Sequence, residues 1–215
     1  MTTLIAASDP QALPWALDAL ARGALVAIPT DTVYGLAARL DRPEALQRLY
    51  EAKGRPADRA IPVLVSRPDL LSDLTIDLPD GAEEFAARCW PGPLTIVLPR
   101  SARVPDLVTA GGDTVGLRMP DHPFALALIE ACGGALAVTS ANRSGEPALR
   151  DPAEVAAALG GEVELIADSG LAPGGQASTV LALDADGPRV LREGPIDAAA
   201  LRAVWDDVRA VPRGA

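Results

Sequence analysis

The sequence is poor in most of the residues that usually mark chemistry. Among 215 residues there are two cysteines, one histidine and one lysine, and aromatics make up only 3%. Cys89 and Cys132 form no CxxC pattern, so neither a disulfide nor a thiolate metal site is expected. Both lie in helix-like apolar stretches and read as buried free thiols. His122 stands alone between Asp121 and Pro123 at a helix start, where a capping or surface role outweighs catalysis. No His/Cys cluster is available for zinc, and no metal ligands are assigned. No run of about 18 apolar residues occurs, so no membrane span is expected. The N-terminus, MTTLIAASDP, lacks the basic and apolar regions of a secretion signal. The expected compartment is the cytoplasm. With so few aromatics, Ala, Leu and Val must fill the core.

Net charge is -10, which argues against a broad electropositive footprint for nucleic acid. The charge is uneven, however. Lys53, Arg55, Arg59 and Arg67 cluster against Asp58 alone, which suits a small anionic ligand. Lys53 is also odd in kind, because all other basic residues are arginine. A cation beside a helix C-terminus gains about 0.3–1 kcal/mol from the helix dipole. Arginine would serve that purpose equally well. A compact ammonium fitting among phosphate oxygens is a reason specific to lysine.

Helical and strand patterns alternate along the chain. A first helix is expected in DPQALPWALDALARG, with Asp9 as N-cap and Gly23 as stop, and a second in RPEALQRLYEAKG. A further helix ends near Cys89–Trp90, and HPFALALIEACGG and DPAEVAAALG supply two more. Asp151 and Glu154 form a capping box at the start of the last of these. Strands are expected in ALVAIPT, AIPVLV, LTIVL, TVGLRMP, ALAVTSAN, VELIAD, STVLAL and RVLREG. The chain therefore reads as one mixed α/β domain over 1–215, with seven to nine strands. Its core spans 12–196, and a C-terminal helix spans 197–208. The loop SGLAPGGQAS is either a lid or a slack connection, and its composition favours the connection.

Several strands run from apolar residues into small polar or basic ones, where α/β proteins gather ligands. These ends hold Thr30, Asp31 and Thr32; Thr139, Ser140 and Asn142; Arg118; and Arg192. Each alone is more often turn chemistry or a surface arginine. The common nucleotide motifs GxxxxGK[ST] and GxGxxG are absent, as is the GxSxG elbow, so a nucleotide would be held by scattered side chains.

Six fragments decide the reading when taken in order: IPTDTVYGLAA, KGRPADRAIPVLV, WPGPLTIVL, VGLRMPDHP, TSANRSGEPA and STVLAL followed by VLREGPI. In this series and spacing the chain resembles the YrdC-like family from Leu17 to Ile196. The resemblance implies a twisted mixed sheet with flanking helices and a large concave ligand cavity. It also implies formation of threonylcarbamoyl-AMP and pyrophosphate from L-threonine, bicarbonate or CO2, and ATP with Mg2+. The product would pass to a tRNA-modifying transferase complex, with at most weak contact to tRNA itself. Carried onto this chain, Lys53 and Arg55 would be catalytic and hold ATP, together with Arg59, Thr114, Ser140, Asn142 and Arg192. Thr32, Arg118 and Ser178 would bind threonine. In relatives position 59 is often Lys or Asn, where this chain has Arg59. Two alternatives stay open: an RNA-binding or ribosome-assembly factor, and a carbamoyltransferase-type relative.

Overall fold

The computed structural model describes residues 2–210. Its frame is one ten-stranded mixed sheet in the order β1-β8-β2-β3-β7-β4-β6-β5-β9-β10. The strands are β1 (Thr3–Ala6), β2 (Val26–Ile28), β3 (Gly35–Arg39), β4 (Val63–Val65), β5 (Leu94–Pro99), β6 (Thr114–Arg118), β7 (Ala135–Ser140), β8 (Leu165–Asp168), β9 (Thr179–Asp184) and β10 (Gly187–Arg192). The helices are α1 (Ala12–Ala21), α2 (Pro43–Lys53), α3 (Leu70–Leu74), α4 (Ala82–Cys89), α5 (Asp106–Thr109), α6 (Pro123–Ala131), α7 (Pro152–Leu159) and α8 (Ala198–Ala210). The fold is thus α/β with flanking helices, as the sequence pattern implies.

Strand alternation sorts the core into two layers. Val26, Ile28, Ala37, Leu64, Leu136 and Val138 face one side, under Ala12, Ala16, Ala19 and Leu20 of α1 and Phe124, Ala125, Leu128 and Ile129 of α6. The intervening residues Ala27, Leu36, Ala38, Val63 and Val65 face the other side, against Ala45, Leu46, Leu49 and Ala52 of α2. On β5 and β6 the second layer continues through Leu94, Ile96, Leu98, Val115 and Leu117. The first layer does not continue there: it stops at Leu64 of β4. The face of β6, β5 and β9 that carries Arg118, Gly116, Thr95 and Val180 therefore lies outside the α1/α6 cover.

Three local expectations are corrected. Strands β1 and β3 are additional. Gly-Leu-Ala-Ala-Arg has little β-propensity, but pairing with β2 on one side and β7 on the other makes it a strand. β1 pairs with β8, so the sheet begins before residue 12. Asp9 does not cap α1; Gln11 is the N-cap, and Asp9 accepts its N–H at 2.8 Å. At α7, Asp151 accepts from Ala153 N at 2.8 Å, so the cap bond falls on the second helical residue. The two thiols are free, with Cys132 buried and Cys89 half-buried.

Candidate active site

The turn between β2 and β3 organises the site. Thr30 stays within the turn: its hydroxyl donates to Val33 O at 2.6 Å and accepts from Thr32 N and Val33 N. That is ordinary turn chemistry. The Thr32 hydroxyl also lies 3.0 Å from the Thr30 hydroxyl, and the side chains of Asp31 and Thr32 both meet Arg118. The guanidinium donates to Thr32 Oγ1 at 2.9 Å, to Asp31 Oδ1 at 2.5 Å and, through Nε, to Gly92 O at 3.0 Å. Arg118 is only 7% exposed. Burial lowers its pKa, Asp31 raises it, and Arg192 lowers it further. A guanidinium has five N–H donors, so three contacts leave two for a ligand.

A second group adjoins it across β5. Ser178 and Thr95 share a hydroxyl hydrogen bond of 2.8 Å. Arg192 Nη2 donates to Ser178 O at 2.6 Å. Gly194 permits this approach: a Cβ there would lie 2.2 Å from Thr179 N and 2.6 Å from Ser178 C. Arg192 itself remains exposed.

The third group joins KGR to TSAN. Lys53 is 2% exposed. Its ammonium donates to Ser140 O, to Asn142 O at 2.6 Å and to Asn142 Oδ1 at 3.3 Å. The contacts are reciprocal. Ser144 N donates to Lys53 O at 2.8 Å and Arg143 Nη1 to Ala52 O at 2.8 Å, which satisfies the last carbonyls of α2. Asn142 Nδ2 closes the turn on Arg143 O and Glu146 O. Among the described residues, no carboxylate partners Lys53. Burial, followed by repulsion from Arg55, lowers its pKa to about 8. The lysine is thus built into the α2–TSAN junction. Helix-end charge compensation does not account for contacts so far along the sequence.

Arg55 braces the next loop, donating to Arg59 O at 3.0 Å and Ala60 O at 2.6 Å. Arg59 is exposed. Thr114 stands apart. It is the first residue of β6, exposed, and by strand rise about 13 Å from Arg118 at the other end, though alternation puts both on one face.

The structure therefore brings together Thr32 with Arg118, Ser178 with Arg192, and Lys53 with Ser140 and Asn142. The β2–β3 turn connects the first and third groups, because Ala141 N donates to Tyr34 O at 2.8 Å and Gly35 pairs with Ser140. The sequence-based list omits Asp31, Thr95, Gly92 and Arg143. Asp31 had a visible signal, as the acidic residue of TDT in a strand end. The others contact the site through a carbonyl or one tertiary bond that no local pattern encodes.

The 169–178 loop is fastened over the turn. Gly175 N donates to Thr32 O at 2.9 Å, and a Cβ on Gly174 would sit 2.7 Å from Asp31 O. Tyr34 Oη donates to Gly170 O at 2.8 Å and accepts from Ser169 N at 3.0 Å. Arg150 Nε holds Ala172 O at 2.8 Å. The loop is a tied strap, not a slack connection.

No group of three or more His, Cys, Asp or Glu residues that could hold a metal exists among the described residues. No helix among the described residues is long and apolar enough to cross a membrane.

A family model for Sua5, YciO and YrdC proteins, described as telomere recombination, matches residues 18–194. The chain is 43% identical over 190 residues to the threonylcarbamoyl-AMP synthase of Pyrococcus abyssi, covering 88% of this chain and 56% of that protein. It is 42% identical over 205 residues to the threonylcarbamoyl-AMP synthase of Bacillus subtilis, covering 95% of this chain and 59% of that one. The fold superposes with a TM-score of 0.85 on the crystal structure of P. abyssi Sua5 complexed with L-threonine. That match has 42% identity and covers 89% of this chain and 56% of the other. The chain thus spans less than two thirds of the length of these relatives. A match running from the first helix to the close of the sheet, joined to identities above 40% in two relatives, is decisive: the chain belongs to the Sua5/YciO/YrdC family.

Proposed function

We propose that this chain is a threonylcarbamoyl-AMP synthase, converting L-threonine, bicarbonate or CO2, and ATP into threonylcarbamoyl-AMP and pyrophosphate. The observation that carries the reading is the buried Arg118, which keeps two N–H donors free on a sheet face outside the helical cover. Those donors suit the carboxylate of an amino acid, with Thr32 and Ser178 close by for its remaining polar groups. The curated names of the relatives support the same substrate class.

The reaction needs the carbamate oxygen aligned on the α-phosphate and the charge of the leaving pyrophosphate neutralised. Arg192, Arg55 and Arg59 have guanidinium N–H groups to spare for the triphosphate. Lys53 fixes Ser140 and Asn142 and adds positive charge behind them. Thr114 would meet the nucleoside end. Mg2+ enters with ATP as part of the substrate and supplies further charge neutralisation. The product would pass to a tRNA-modifying transferase complex in the cytoplasm. The net charge of -10 supports transfer through that partner, with only weak contact between this chain and tRNA.

The test is pyrophosphate release from Mg2+-ATP with and without L-threonine and bicarbonate. Release that requires both is expected. Release of ADP and orthophosphate, turnover with carbamoyl phosphate in place of threonine and bicarbonate, or RNA retention without turnover would each overturn the reading.

A further inference from the structure

The segment 54–60, between α2 and β4, carries Arg55 and Arg59 but has no apolar anchor. Gly54 and residues 56–60 are exposed, and Arg55 is half-buried. The first buried residue is Ile61, whose N–H donates to Val108 O of α5 at 2.7 Å. On the outer side, an open groove of about 610 Å³ lies between Gln47, Glu51, Ala57, Leu107 and Ala110, so nothing wedges the segment there. Its shape must come from hydrogen bonds.

Tyr50 grips the segment at both ends. Its carbonyl accepts from Arg55 N at 2.9 Å, and its hydroxyl donates to Arg59 O at 3.0 Å. Among the described residues, this is the side-chain hydrogen bond that reaches the segment from outside it; the other two come from Arg55 within. A carbonyl oxygen has two lone pairs, so Arg59 O takes Tyr50 Oη and Arg55 Nε together. The phenol also lies 2.9 Å from Leu107 O and shares its one proton between the two carbonyls. α5 leads on into β6, whose first residue is Thr114. One hydroxyl thus joins the segment that bears Arg55 and Arg59 to the segment that leads to Thr114.

The ring is fixed independently of the hydroxyl, because it packs against the core layer under α2. Burial raises the pKa of the phenol more than the Arg55 charge lowers it, so the hydroxyl keeps its proton at neutral pH. We propose that Tyr50 is a positioning residue for the triphosphate: its hydroxyl fixes Arg59 O against α5, and through that shared carbonyl sets the Arg55 guanidinium. Tyr50 itself touches no substrate. This rests on the reading above that Arg55 and Arg59 meet the phosphates of ATP.

The experiment compares wild type with Tyr50→Phe, Arg55→Lys and the double variant. ATP and L-threonine binding are read by calorimetry, and kcat and KM by pyrophosphate release. Phe keeps the ring on the core and removes only the hydroxyl. Lys keeps a cation at 55 but cannot hold the carbonyls of Arg59 and Ala60 together. Tyr50→Phe should weaken ATP binding about fivefold or more, in Kd and in KM, which is the weight of one hydrogen bond. Threonine affinity and kcat should stay within about twofold. In the Arg55→Lys background the same change should add less than about twofold, because both residues act through Arg59 O. Unchanged ATP binding in Tyr50→Phe would overturn the inference. So would a loss that persists in full beside Arg55→Lys, falls equally on threonine, or falls on kcat, since a merely structural tyrosine gives these results. Wild type that does not bind ATP would overturn the underlying reading and this inference with it. Wild type that binds ATP but releases no pyrophosphate would overturn the reading alone, because the ATP affinities of the four proteins still decide the role of Tyr50.

Discussion

Arg118 and Lys53 are both cations almost fully removed from water, yet they are stabilised in different ways. Arg118 has a carboxylate partner, Asp31, and spends three of five donors. Lys53 has only neutral oxygens, from Ser140 and Asn142, and contacts three of them with its three donors. Arg118 is thus a charge held ready with capacity to spare. Lys53 is a saturated fastening whose charge is costly, which is why its pKa falls to about 8. The comparison separates two roles that look alike in the sequence, where both residues simply end an element.

The largest effect should come from breaking the Arg118 side. Arg118→Ala leaves Asp31 buried without compensation, a loss of about 3–5 kcal/mol. Denaturant unfolding should show it, and the threonine requirement should rise far more than the ATP requirement. Arg118→Lys should not restore threonine binding, because an ammonium cannot span Gly92 O, Thr32 and Asp31 and still present two donors. Equal effects on threonine and ATP would remove Arg118 from amino-acid recognition.

Next comes Lys53→Arg. Net charge is kept, but a planar guanidinium must enter a space closed by two carbonyls and an amide oxygen, at about 1–3 kcal/mol of overpacking. Activity should fall nearly as far as in Lys53→Ala, and the melting temperature should drop. An active, equally stable Lys53→Arg protein would make the lone lysine incidental.

A smaller effect sharpens the same contrast through pH. Lys53 titrates at about 8 when folded and at 10.5 when unfolded. Between these values the unfolded chain retains a proton that the folded chain has released. Its contribution to stability therefore rises as pH rises from 8 to 10.5, by at most about 1.4 kcal/mol per pH unit. Below 8 the penalty for burying the charge is fully present. Comparing wild type with Lys53→Met by urea unfolding at pH 7.5, 9 and 10 isolates this slope, and parallel profiles would refute it. The smallest change should be Arg22→Ala. Arg22 and its partners Asp18 and Glu164 are all well exposed, so less than about 1 kcal/mol should be lost.

The two sides also differ in how far they were legible beforehand. Gly54, in the left-handed region at φ 58°, ends α2 where its sequence position suggests, and Pro43 opens it. The identity of Lys53 as an exception was visible from composition alone. Its partners were not, since Ser140 and Asn142 engage it through backbone carbonyls 87 and 89 residues away. His122 shows a similar limit. Its place at the start of α6 is correct, but it makes no side-chain cap bond and turns instead toward Ser169.

The sequence by itself determined the class of the fold, because the two-residue and 3.6-residue apolar periods are local and survive without tertiary context. It also determined which motifs matter, since six of them stand in one order. Only the tertiary structure decided what each polar side chain does. It made β3 a strand by placing it between two partners, ended one helical layer at Leu64, and so left the face of Arg118 outside that cover. It gave Arg118 its carboxylate and Lys53 its carbonyls. The physical reason is that hydrogen bonds and charges act over a few ångströms in space. Residues 31, 92 and 118 become neighbours only after the sheet has formed.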